Sequence, residues 1–108
     1  MVEREIADSV KQYLRELDRQ GYPISFGVVF GSQVKGRTHQ FSDIDLVVVS
    51  PRFDGRVQRD DIDHLWHVVA EMDHRIEPIP CGVRAWEEDD SSIILEVARR
   101  EGEKITLN

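Results

Sequence analysis

The chain predicts a small mixed β-sheet packed by helices, an α/β arrangement of the α+β kind. Three observations lead there. Its 108 residues suit a single domain spanning 1–108. Stretches with apolar residues at helical spacing alternate with short, nearly continuous apolar runs. The resulting order, α-β-(turn)-β-α-β-α-(β), is one in which helices cover a sheet.

Residues 2–20 form an amphipathic helix, with Ile6, Val10, Tyr13, Leu14 and Leu17 on one side and charges between them. Gly21-Tyr22-Pro23 ends it, because Gly suits the C-terminal cap and Pro cannot continue a helix. Residues 24–30 make a strand whose unbroken apolar character implies burial on both faces. Gly31-Ser32 opens a short helical turn or loop through Gly36, and 37–42 is a polar connection. Residues 42–50 form the second strand, buried along Leu46-Val47-Val48-Val49 and stopped by Pro51.

Residues 51–59 read as a loop with Asp54-Gly55 as its turn signal. A second amphipathic helix covers 60–73, with Asp60 or Asp61 as cap and Ile62, Leu65, Trp66, Val69 and Met72 as its apolar stripe. Residues 76–81 make a short strand. Pro78 and Pro80 each lack an N–H donor, which places it at an edge. A last helix runs over 91–101, capped by Ser91 or Ser92, with Ile93, Ile94, Val97 and Ala98 inward and Gly102 ending it. Residues 105–107 add a terminal strand. Trp86 reads as core and E-E-D-D at 87–90 as a solvated acidic loop.

Composition narrows the function. The net charge is −7 and the pI about 5.0. A chain this acidic lacks the electrostatic footprint of a general nucleic-acid binder. It repels phosphate-rich ligands unless cations neutralise part of the site, and it complements a basic partner. One cysteine, Cys81, excludes an intrachain disulfide and points to a reducing, cytoplasmic setting. No apolar run approaches bilayer length and the N-terminus has no apolar signal core, so no membrane is expected.

The chemistry is concentrated in residues 28–49. Asp43 and Asp45 sit two apart on a strand, so their side chains share a face with Cα atoms roughly 7 Å apart. Asp is depleted in strands, and two of them interrupt an apolar run here. A shared divalent cation is the physical reason to keep them together; two solvated flanking carboxylates are the alternative. Upstream, Gly31 allows close backbone approach and Ser32 can donate from its N–H and its hydroxyl, which makes a phosphate-sized slot. Lys35 and Arg37 add positive charge nearby. His39, His64, His67 and His74 do not make a zinc set, and Cys81 reads as a buried small apolar residue rather than a nucleophile.

Gly31-Ser32, ten intervening residues and Asp43-Ile44-Asp45 together resemble the signature of the nucleotidyltransferase superfamily, the polymerase-beta-like fold. The flanks V-V-F-G-S and S-D-I-D-L-V-V are similar too, and the length is that of the minimal nucleotidyltransferases. The chain departs from them at Gln33 and Lys35, where minimal members often carry arginine. The resemblance implies a third carboxylate on a later strand, best matched by Glu77 with Asp73 as fallback. It implies that Asp43, Asp45 and Glu77 are the catalytic residues and hold Mg²⁺. It implies that Gly31, Ser32, Lys35 and Ser42 bind the nucleoside triphosphate, and that Glu77 orients or deprotonates an acceptor hydroxyl.

A single small domain leaves no room for an acceptor-binding half, so a partner must supply it. The resemblance is to the antitoxin of HEPN/minimal-nucleotidyltransferase pairs. It implies AMP transfer from ATP to a hydroxyl of a helical HEPN toxin. Two other readings stand beside it. One is a binding module that masks its partner with little or no catalysis. The other is a small-molecule transferase completed by dimerisation.

Overall fold

The structure, a computed structural model, describes residues 2–35 and 43–108, and at Ser32 and Lys35 the backbone alone. Helix α1 (Arg4–Arg19) turns Ile6, Val10, Tyr13, Leu14 and Leu17 inward, as the spacing requires. Strand β1 (Phe26–Phe30) runs into the single-turn helix α2 (Ser32–Lys35), and β2 (Ile44–Val49) carries the Asp-x-Asp end. A 3₁₀ turn at Pro51–Phe53 leads to α3 (Arg59–Met72) and β3 (Ile76–Cys81). Helices α4 (Val83–Glu88) and α5 (Ile93–Glu101) and strand β4 (Glu103–Ile105) complete the order.

Among the described residues the sheet has four strands in the order β3-β2-β1-β4. β1 is antiparallel to β2 and β4, while β2 and β3 are parallel. Both faces are covered. Ile44, Leu46 and Val48 meet α1 and α3 in the larger core; Val28, Val47, Val49 and Cys81 meet Leu95 and Ala98 of α5 in the smaller one. This explains why β2 is apolar at successive positions rather than alternating. The Tyr13 hydroxyl donates to the Leu65 carbonyl at 2.9 Å, which ties α1 to α3 inside the core.

β3 is an edge strand, and its prolines cost the ladder nothing. The carbonyls of Arg75 and Cys81 accept from the N–H groups of Ile44 and Ser50, at 2.8 and 3.0 Å. N–H and C=O of one residue point the same way in a strand, so the odd-numbered residues face β2 and Pro78 and Pro80 turn outward. The outer edge thereby lacks two donors that another strand would need.

Several sequence expectations are corrected. Ile62, Trp66 and Met72 are not core: Trp66 is 46% exposed, and the buried side of α3 is Asp61, Leu65, Val68 and Val69. α3 begins a residue earlier than expected, with Gln58 at its cap position and the Asp61 carboxylate accepting from the Gln58 N–H at 3.3 Å. Asp61 is buried because the Tyr22 hydroxyl and the Arg52 guanidinium donate to it, at 3.0 and 3.1 Å. Burial works to raise its pKa, but those donors win and hold it below the usual carboxylate range.

In α5, Ala98 faces inward as expected, but it is joined by Leu95, while Ile93 is 78% exposed and Ile94 half-exposed, against the expected stripe. The Ser92 hydroxyl caps this helix, accepting from the Leu95 N–H at 3.2 Å. Of the expected acidic loop at 87–90, Glu87 and Glu88 end α4, and Asp89 and Asp90 follow it outside the helix. Arg99 closes the C-terminal end of α4, donating to the carbonyls of Ala85, Trp86 and Asp89. Trp86 is half-buried, with its ring edge-on to Phe26 at 5.8 Å.

Candidate active site

The expected acidic residues meet where β1 ends and β2 and β3 begin. Asp43 stands one residue before β2 and Asp45 is its second residue. The side chains at 45, 47 and 49 share a face, and Val47 and Val49 are buried there. Asp45 is half-buried and Asp43 exposed, so this face opens to solvent toward the two aspartates. In the parallel pairing, Asp45 lies opposite Glu77. Residues paired across a ladder project from the same face, so the third carboxylate sits beside the second.

The Glu77 carboxyl is pushed up from its ordinary value. Loss of water around it is the first cause, followed by the charge of Asp43 and by the hydrogen bond and charge of Asp45. Glu77 as a residue stays exposed, so the crowding is at its carboxyl end. Asp73, the fallback, belongs elsewhere. Arg75 donates to it at 2.8 and 3.0 Å and the Ser9 hydroxyl at 2.6 Å, which holds it at about 2. A carboxylate already engaged in this way, and lying between α3 and β3, does not face the other two.

Gly31 is the second half of the site. Its φ of +80° belongs to the left-handed region. A Cβ at this position would lie 2.5 Å from Asp45 Oδ2, so with glycine the carboxylate can stand against the turn, and any other residue would make it shift. The Val34 N–H donates to the Gly31 carbonyl at 3.2 Å and closes the turn into α2. Gln33 is buried, and its Nε2 donates to the Asp43 carbonyl at 3.2 Å. Sequence reasoning noticed Gln33 only as a departure from arginine, because an amide's partner is not legible in sequence. Ser42 and Arg37 lie outside the described residues, and for Ser32 and Lys35 only their place in α2 is described.

Among the described residues, no three acidic, His or Cys side chains are drawn tightly enough together to grip a metal ion. The donor set nevertheless fits a hard divalent cation. Asp45 and Glu77 pair across the β2–β3 ladder with Asp43 two residues before Asp45, which gives carboxylate oxygens, the ligand type such a cation takes. Of the other sequence candidates, His39 lies outside the described residues. Cys81 is buried and its thiol pushed up to about 11, first by desolvation. His64 stacks on Tyr22, with ring centroids 4.8 Å apart, on the α3 side of the sheet.

Fold and site together are those of the nucleotidyltransferase kind. The nucleotidyltransferase domain family matches residues 8–98, and the chain belongs to that family. No curated protein matches it. Two solved structures share the fold. One is a Sulfolobus solfataricus protein assigned as a nucleotidyltransferase, at TM-score 0.63 and 15% identity, over 93% of this chain and 78% of that one. The other is a toxin–antitoxin structure with AMP-PNP, at TM-score 0.59 and 18% identity, over 88% and 71%. Among the described residues, no helix is long and apolar enough to cross a membrane.

Proposed function

We infer that the protein is a Mg²⁺-dependent nucleotidyltransferase that moves a nucleoside monophosphate, AMP from ATP, onto a hydroxyl of a partner protein. The observation that carries this reading is the register of Asp45 against Glu77, with Asp43 two residues upstream and the Gly31 turn alongside. Membership of the nucleotidyltransferase family supports it.

Asp43, Asp45 and Glu77 supply the oxygen donors for the cation. A Mg²⁺ ion held by them would supply the positive charge that offsets the repulsion expected between a triphosphate and a chain of net charge −7. The backbone at Gly31 and Ser32, with Lys35 and Ser42, holds the β- and γ-phosphates. Glu77, a carboxyl of raised proton affinity, takes or orients the proton of the incoming hydroxyl. The acceptor oxygen bonds to the α-phosphorus, the bond between the α-phosphorus and the bridging oxygen breaks, and pyrophosphate leaves with that oxygen.

The acceptor half comes from a second protein. The toxin–antitoxin neighbour supports a toxin as that partner, with this chain as its antitoxin, and the resemblance carried by Gly31-Ser32 and Asp43-Ile44-Asp45 makes that toxin a HEPN protein. The other reading is a module that neutralises its partner by masking it. Incubation with the co-expressed partner, Mg²⁺ and α-labelled ATP separates the two. The transferase reading expects label on the partner, lost in Asp43→Asn/Asp45→Asn. Tight partner binding with no label in either protein would establish masking instead.

A further inference from the structure

We propose that Gln33 is a positioning residue: its side-chain amide replaces the missing last rung of the β1–β2 ladder and fixes the backbone at Asp43. The register makes the rung explicit. β1 pairs with β2 from Phe26 opposite Val49 to Phe30 opposite Asp45. One ladder step further, Ser32 would stand opposite Asp43. The chain cannot be there, because Gly31 turns it out of the sheet at φ +80° and Ser32 already starts α2.

The vacant rung falls on the side of β2 that needs it. The N–H groups of Ile44 and Ser50 face β3, so the even residues of β2 point there and the odd residues point at β1. The Val49 carbonyl, accepting from the Ser25 N–H at 2.9 Å, shows that direction at the other end. The Asp43 carbonyl therefore points toward the absent partner. Gln33 Nε2 meets it there at 3.2 Å, from a side chain only 3% exposed.

The consequence is specific to the site. A strand end without its last rung frays, and a rotation of one residue moves a side chain to the other face. With the amide in place, Asp43 keeps the alternation of β2 and shares a face with Asp45. The same bond joins the glycine turn to the acidic strand, so the two halves of the site move as one. This role rests on the reading that Asp43 and Asp45 hold the cation, and Gln33 exerts it through Asp43, without contact to any ligand.

The test compares wild type with Gln33→Met, which keeps length and removes the donor. If that variant fails to fold, Gln33→Asn serves, since it keeps the amide but falls one methylene short of the carbonyl. Two quantities are read: amide hydrogen exchange along β2, and Mn²⁺ affinity of the nucleotide-free protein. Exchange should quicken at Asp43, Ile44 and Asp45 and stay unchanged from Leu46 to Val49, while Mn²⁺ binding weakens about tenfold. Unchanged exchange at 43–45, or faster exchange along the whole strand, would overturn the positioning role. Localised exchange with Mn²⁺ affinity within about twofold of wild type would overturn its relevance to the site. A wild-type protein that binds no Mn²⁺ would sink the cation reading instead, and the exchange pattern would then decide the role of Gln33 alone.

Discussion

Gly31→Ala isolates the contact between the glycine turn and the acidic strand, and Gly55→Ala is its internal control. Both glycines have φ +80°, so each alanine takes on the same left-handed strain, about 1–2 kcal/mol. They differ in what the new methyl meets. At Gly55 there is nothing within 4 Å, whereas at Gly31 the Cβ falls 2.5 Å from Asp45 Oδ2. That oxygen must retreat by about 0.9 Å to reach the 3.4 Å of ordinary contact. It sits at the end of a side chain that can rotate, so the retreat adds little to the loss of stability. It does move a carboxylate out of register with Glu77. Urea unfolding should therefore show similar destabilisation of both variants. Mn²⁺ affinity should fall about tenfold in Gly31→Ala, equivalent to about 1.4 kcal/mol, and stay at the wild-type value in Gly55→Ala. Equal affinities in the two variants would refute the claim that the turn and Asp45 form one site.

Other predictions follow from the same packing. Glu77→Gln removes one of three crowded carboxylates, so the metal-free protein should melt at the same temperature or higher, gaining about 0.5 kcal/mol, while label transfer falls at least about a hundredfold. Asp73 is held at about 2 in the fold against an ordinary 3.8. Its stabilisation, about 2 kcal/mol, is therefore present above the unfolded value and lost as pH falls from about 4 to 2. Asp73→Asn should flatten the acid limb of the stability curve over that window. Leu65→Ala should cost about 2–5 kcal/mol and Trp66→Ser less than that, because Leu65 is fully buried and Trp66 is 46% exposed.

The architecture and the acidic strand were largely legible in sequence, because each rests on local pattern. The apolar runs of β1 and β2, the Gly-Ser turn, the Asp-x-Asp spacing and the outward prolines of β3 are readable without tertiary knowledge. The place of Glu77 is different. Its relation to Asp45 depends on parallel pairing between strands that are joined through α3, and resemblance suggested it before the register supplied it. The stripe of α3 was misread because its buried side includes Asp61, a charge neutralised by Tyr22 and Arg52 from distant parts of the chain. In α5, Ala98 was read correctly, but two adjacent isoleucines drew the rest of the apolar stripe toward themselves, whereas the core takes Leu95. α4 was hidden by its charges, and what closes it is Arg99 of α5, whose donations to its last carbonyls no local pattern announces.

One claim is central: Asp43, Asp45 and Glu77 bind a triphosphate through a divalent cation rather than repel it. Calorimetric titration of ATP into the protein with and without Mg²⁺ tests this most directly. Binding should be seen with Mg²⁺, vanish when the metal is chelated, and vanish again in Asp43→Asn/Asp45→Asn. ATP binding of equal strength with and without Mg²⁺, or binding that survives the double substitution, would contradict it.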